Sequence, residues 1–253
     1  MGFSSAYESK IPGPDGRIAY SAEEDAIWAE LIARQDGVLE GRAVPEVIEG
    51  LERLNLPRER VPQVCEVNAR LQELNGFGVK AVPAMISEAE FFGLLASRHF
   101  PVATFVRRRE EIDYLKEPDI FHEVYGHCAL LTNAKYCDAL EKFGRAALAL
   151  GPGSWEAIHR LFWFTAEFGL TQTKDGLRIY GAGITSSAKE SVFCLESGEV
   201  DRRPFDPVEI AATDYRIDVL QSRYYVLEEL GQLFELADAL EDKVPAWIRA
   251  GAA

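Results

Sequence analysis

Two histidines and a glutamate carry the chemistry this chain offers. His122 and His127 lie five residues apart in His122-Glu123-Val124-Tyr125-Gly126-His127, and Glu167 follows 40 residues later. Two imidazoles and one carboxylate are the ligand set of a mononuclear non-haem iron(II) site, which keeps positions open for water, O2 or substrate. The spacing demands a departure from regular helix. In the zinc-protease pattern H-E-x-x-H the histidines are four residues apart, about 40° around the helix, and reach one metal. Five residues apart they diverge by about 140°. Gly126 offers an escape, because glycine leaves helical φ/ψ cheaply and can end or distort the helix before His127. From the residues alone two readings stay open: a metal site on a broken helix, and two ordinary core or surface histidines.

Cys65, Cys128, Cys137 and Cys194 show neither CxxC nor zinc-finger spacing, so four free thiols are expected. Cys128 adjoins His127, but a thiolate ligand would favour zinc or a closed structural site over an O2 site. No GxGxxG or Walker pattern points to a nucleotide fold.

The elements that must position these groups read as mostly helical. Ser21-Ala-Glu-Glu24 is a capping box opening a helix to about Leu39, and Pro45 sits in the first turn of the next. Pro62 starts a third, stopped by Gly76, and Ser87-Glu-Ala-Glu90 introduces Phe91, Phe92, Leu94 and Leu95. Phe100 to Val106 and Leu177 to Tyr180 suit short strands. Pro118 opens the motif helix, Lys135 to Leu150 forms an amphipathic helix, and Ser154 caps the helix carrying Trp163 and Glu167. A last helix runs from about Glu228 to Glu241, before Pro245. The expected class is mainly α with a few short strands, without the alternation of a parallel β/α fold.

The 253 residues, 47% hydrophobic, suffice for one sizeable core, and no stretch resembles a linker. Residues 1–20, with Ile11-Pro-Gly-Pro-Asp-Gly16, read as an extended arm before a single domain over 21–253. Acidic residues exceed basic ones by 41 − 27 = 14, which disfavours nucleic acid and anionic membrane surfaces as partners. Without a signal peptide or an apolar run of membrane-spanning length, a cytoplasmic protein acting on small molecules is expected.

Three blocks add a resemblance: Tyr114-Leu-Lys-Glu-Pro-Asp-Ile-Phe-His-Glu-Val-Tyr-Gly-His127, Phe162-Trp-Phe-Thr-Ala-Glu-Phe-Gly169 and Tyr180-Gly-Ala-Gly-Ile-Thr-Ser-Ser187. From about Ser21 to Pro245 the chain resembles the tetrahydropterin-dependent aromatic amino acid hydroxylases, in particular those bacterial members that act on phenylalanine. The resemblance implies a helical basket around Fe(II) held by His122, His127 and Glu167. It implies hydroxylation of phenylalanine at C4 with O2, the pterin giving two electrons. It places Arg107 on the substrate carboxylate and Asp119 behind that arginine. Trp163 and Phe168 are placed beside the substrate ring, and Ser186 near the amino-acid end. For the pterin it implies stacking on Phe91, hydrogen bonds near Met85, Ile86 and Glu88, and Glu123 across the ring. The chain departs from the pattern at Ala129, where proline is usual, and at Phe162, where a tyrosine hydroxyl is common. No room is seen for a regulatory domain or a tetramerisation helix, so a monomer is expected. Tryptophan, or C3 of phenylalanine, is the alternative target. A zinc hydrolase and a non-catalytic metal-binding protein are the other classes weighed.

Overall fold

The capping signals form the helices they announce. Ser21 accepts from the Glu24 N–H and Glu24 reaches back to the Ser21 N–H, opening α1 (Ala22–Leu39). Pro45 begins α2 (Pro45–Leu54), Gly76 ends α3 (Val64–Asn75) in the left-handed region, and Ser87 caps α4 (Glu88–Ala96). The computed structural model describes residues 7–83, 86–113, 115 and 117–251. Met85 therefore lies outside the described residues.

Between α3 and the metal-binding motif run two parallel strands, β1 (Gly78–Val82) and β2 (His99–Ala103), with α4 between them as the crossover. The chain then reaches the motif helix, which starts at Ile120 rather than at Pro118, continues through His122–His127 and ends in α5 (Cys128–Leu130). Next come α6 (Ala134–Leu150) and α7 (Pro152–Phe162), which leads into a second unusual turn, Trp163–Glu167. Ser154 does not cap α7. Gly151 stands there, and Ser154 donates back to its carbonyl.

Beyond Glu167 the sequence was least legible. β3 (Leu170–Thr173), β4 (Gly176–Ile179), β5 (Asp201–Pro204) and β6 (Arg223–Leu227) make one sheet in the order β4-β3-β6-β5, antiparallel only at β3–β4. Short helices α8 (Ala182–Thr185), α9 (Ala188–Glu196) and α10 (Pro207–Ala212) fill the connections. The last helix, α11 (Gly231–Gly251), starts later than expected and runs through Pro245. Proline removes one intrahelical hydrogen bond. The buried stripe Leu233, Leu236, Leu240 and Val244 outweighs that loss, each side chain contributing about 1.5–3 kcal/mol.

α6 packs against α4, α7 and α11, so its face Tyr136, Leu140, Phe143 and Ala147 forms the centre of the core. α8 packs against both unusual turns, which brings the metal-binding motif and Glu167 together. The molecule is mainly α with short strands, and no described helix is long and apolar enough to cross a membrane.

Candidate active site

His122–His127 is a π-helical turn, its hydrogen bonding shown by the Cys128 N–H reaching the Glu123 carbonyl five residues back. An i→i+5 repeat stacks residues five apart on one face, so both histidines point the same way. The helix is widened, not broken as the sequence suggested. Gly126 keeps a negative φ and serves a steric purpose instead. A Cβ there would stand 2.8 Å from the Ala182 carbonyl oxygen and 3.2 Å from Ser186 Cβ, pushing α8 away. Trp163–Glu167 is a second π turn, with the Phe168 N–H donating to the Trp163 carbonyl at 2.8 Å. It stacks another pair five apart, Trp163 and Phe168, with ring centroids 4.6 Å apart. It also carries Glu167 to the histidines.

His127 Nε2 lies 2.9 Å from Glu167 Oε1 and 3.2 Å from His122 Nε2, and His122 Nε2 is 3.6 Å from Glu167 Oε2. Ligands about 2.1 Å from a first-row divalent ion stand about 3.0 Å apart on an octahedral face and about 3.4 Å apart in a tetrahedron. The two imidazole nitrogens and the Glu167 carboxylate, which turns one oxygen toward each, approach such a face, and His122 and Glu167 line a cavity. Ser186 fixes the tautomer. Its hydroxyl donates to the Ala182 carbonyl at 2.8 Å, so at 2.9 Å it accepts from His122 Nδ1–H, leaving the Nε2 lone pair for a metal. Burial pushes His122 down to about 4, so its imidazole is neutral at neutral pH. Burial alone would raise Glu167, but His127 and His122 outweigh it and hold the carboxylate low. His127 Nδ1 is buried without a hydrogen-bond partner among the described residues.

Glu123 also brings an oxygen within 4.8 Å of both histidines. Glu167 stands closer, and burial drives Glu123 well above the usual carboxylate range, toward a neutral acid that is a poor ligand. Cys128 is fully buried and its thiol is pushed far up by that burial, so it offers no thiolate.

Ser186→Ala is expected to weaken iron retention by about 10- to 100-fold, the usual cost of losing a group that orients a ligating histidine. Chelator competition on the folded variant measures it. Unchanged iron affinity would mean that Ser186 does not set the His122 tautomer.

The triad opens into a cavity of about 890 Å³ whose wall includes Arg107, Trp163, Phe168 and Ser186. Arg107 is 7% exposed and binds fully buried Asp119 through two side-chain bonds of 2.9 Å, Nε to Oδ2 and Nη2 to Oδ1. Asp119 also accepts from the Arg107 and His122 backbone N–H groups, so one carboxylate holds both the arginine and the start of the motif helix. Burial would raise Asp119, but Arg107 outweighs it and keeps the carboxylate ionised. Among the described residues Asp119 is the side chain that takes bonds from this guanidinium, and Arg107 lines the cavity.

Gly183 lets the Phe168 ring close against α8, since a Cβ there would meet Phe168 Cζ at 2.7 Å. Trp163 stacks on Tyr215 at 4.2 Å and donates through Nε1 to Gln221 Oε1 at 3.2 Å. Tyr215, Gln221 and Glu190 line the cavity, and sequence reasoning missed them. Tyr215 and Gln221 stand in an irregular loop with no periodic signal, and Glu190 reads as an ordinary first-turn helical acid.

The residues expected around a pterin do not line this cavity. Ile86, Glu88, Phe91 and Glu123 are absent from this cavity's wall. Phe91 is half-buried and packs edge-on with Phe162 at 5.3 Å and Phe100 at 6.4 Å. Phe100 in turn lies 4.3 Å from the His127 ring, so an aromatic wall links the two regions.

The chain matches the family of biopterin-dependent aromatic amino acid hydroxylases over residues 3–242. It is 48% identical over 234 residues to the phenylalanine-4-hydroxylase of Pseudomonas aeruginosa, covering 92% of this chain and 89% of the relative. The apo structure of the cold-active phenylalanine hydroxylase of Colwellia psychrerythraea superposes with a TM-score of 0.93 at 44% identity, covering 97% of this chain and 94% of that one. The Chromobacterium violaceum phenylalanine hydroxylase with bound oxidised Fe(III) gives 0.89 at 42% identity, covering 96% and 88%. Over nearly its whole length, then, the chain belongs to the biopterin-dependent aromatic amino acid hydroxylases.

Proposed function

We propose that this chain hydroxylates L-phenylalanine at C4 to give L-tyrosine, using O2, non-haem iron(II) and a tetrahydropterin. The observation that carries the reading is the meeting of His122 Nε2, His127 Nε2 and a Glu167 carboxylate within 2.9–3.6 Å, beside a cavity lined also by Arg107 and the rings of Trp163, Phe168 and Tyr215. His122, His127 and Glu167 would hold the iron, which would supply O2 activation, and a tetrahydropterin would supply the two electrons.

Every remaining task falls to side chains. Arg107 receives the substrate carboxylate through donors that Asp119 leaves free, and the planar guanidinium suits that anion. Trp163 and Phe168 flank the aromatic ring and direct its far edge toward the metal side of the cavity. Ser186 keeps the His122 lone pair aimed. Phe91 gives the pterin a face to stack on, with Glu88, Ile86 and the buried Glu123 around it.

Supplying Fe(II), tetrahydrobiopterin and each aromatic amino acid in turn, with products separated by chromatography, tests this. Tyrosine from phenylalanine is the expected main product. 3-Hydroxyphenylalanine, or faster turnover of tryptophan, would overturn the assignment. We further take the chain to be a cytoplasmic monomer, a reading supported by the acidic excess of 14 charges, which opposes self-association. Sedimentation as a stable tetramer would refute that part.

A further inference from the structure

His159, on α7, is explained neither by the metal centre nor by the substrate cavity. Its ring lies nearly parallel to Phe91, with 5.5 Å between centroids and 28° between planes, and 4.6 Å from Phe92. Its Nε2 is buried with no hydrogen-bond partner and sits 3.5 Å from Glu88 Oε1. A phenylalanine would fill this space without burying an unpaired nitrogen, which is costly. The imidazole is thus an expensive choice for mere packing.

Its two neighbours share one helix face. Glu88 and Phe91 are three residues apart on α4, so they stand side by side, and His159 touches both. One turn further along α7, Phe162 meets Phe91 edge-on and lies over His127, with 6.4 Å between those two rings. The same helix then enters the π turn that carries Glu167. Phe91 stays half-buried, and His159 takes one of its two faces.

We propose that His159 is a positioning residue for the pterin: its ring backs the closed face of Phe91, and its Nε2–H faces Glu88. This rests on the pterin stacking on Phe91, as assigned above. The consequence is a three-layer stack of pterin, Phe91 and imidazole, held by a helix that runs directly to the metal ligands. The orientation of the cofactor and of Glu167 therefore depends on one rod.

The test compares His159→Ala, His159→Phe and His159→Gln with Phe91→Ala, all iron-loaded. Calorimetry with 7,8-dihydrobiopterin gives the Kd of a pterin that does not turn over, and steady-state kinetics give the KM for tetrahydrobiopterin. His159→Ala is expected to raise both by about three- to tenfold, the worth of one aromatic pair. Its kcat and its KM for phenylalanine stay within about twofold, a split that a general loss of structure would not produce. His159→Phe restores the Kd by restoring the stack, and His159→Gln, which keeps only a donor for Glu88, restores it in part. If Phe91→Ala weakens pterin binding while His159→Ala does not, the pterin site stands and this proposal fails. A tighter Kd in His159→Ala also overturns it, by showing that the imidazole obstructs the stacking face. If Phe91→Ala changes nothing, the pterin has been misplaced, and the role of His159 falls with it. Should His159→Ala fail to fold, an unchanged Kd in His159→Phe with a raised Kd in His159→Gln supports the proposal, and an unchanged Kd in His159→Gln, or a loss in His159→Phe as large as in Phe91→Ala, overturns it.

Discussion

Alanine at His127, His122 or Glu167 is expected to empty the iron site and reduce hydroxylation at least about a thousandfold, some 4 kcal/mol at 1.36 kcal/mol per tenfold. Three protein ligands are the minimum for an open site of this class, so two cannot hold the ion against buffer and chelators. Glu167→Gln separates charge from shape, because the amide keeps the volume but leaves the two imidazoles without an anion. It is expected to retain the fold and lose most of the iron. Cys128→Ala is the control, since that thiol is fully buried and pushed far up by burial. Metal analysis after desalting decides the matter. Full iron in all three alanine variants would remove the metal centre from this position, whatever became of activity.

Arg107→Ala is the second large effect, and it acts on two quantities. Truncating one member of a desolvated charge pair typically costs about 2–5 kcal/mol, so kcat/KM for phenylalanine is expected to fall by roughly 30-fold to several thousandfold. The same change strands Asp119, which is fully buried, and breaking a buried pair destabilises the fold by about 3–5 kcal/mol. The two losses separate in the double variant. Arg107→Ala with Asp119→Ala is expected to regain stability but not activity, because the uncompensated charge is gone while the carboxylate receptor is still missing. Asp119 is held below its ordinary pKa in the folded state, so the stability it contributes is present above its unfolded value and is lost as pH falls through the folded one. Wild-type protein therefore loses this contribution in acid, and the double variant has none to lose. Arg108→Ala and Arg109→Ala are expected to behave as wild type. Both side chains are exposed, one over the Tyr7 ring and one paired with Glu30. Equal loss in all three arginine variants would replace the clamp with a diffuse basic patch.

Local chemistry explains what could be read in advance. The Ser21 and Ser87 caps, Pro45 and Gly76 act within four residues of themselves, so α1 to α4 were legible. That His122, His127 and Glu167 would stand together was anticipated too, from the ligand set that the resemblance implied. The geometry uniting them was not. A π turn has no composition of its own and is selected by what packs on it, here α8 against Gly126. The four-stranded sheet also escaped, since its strands are four or five residues long and β3 pairs with β6 across a stretch that includes α8, α9, β5 and α10. Ser186 shows the same limit. Its proximity to the substrate end was read from the resemblance, whereas its bond to His122 depends on a fold contact between residues 64 apart.

Each π turn is an α-helix carrying one surplus residue, and the two among the described residues carry the side chains of the proposed iron site. Excising a single residue from either segment would yield a more regular helix and at the same time rotate everything beyond it by about 100°. After such a deletion His127 and Glu167 would face away from the metal although every ligand was still encoded. A reading-frame-preserving loss of one codon is harmless in many surface loops, but in these two helices it would be a null allele. Genome comparisons that score only the presence of two histidines and a glutamate would count that allele as intact.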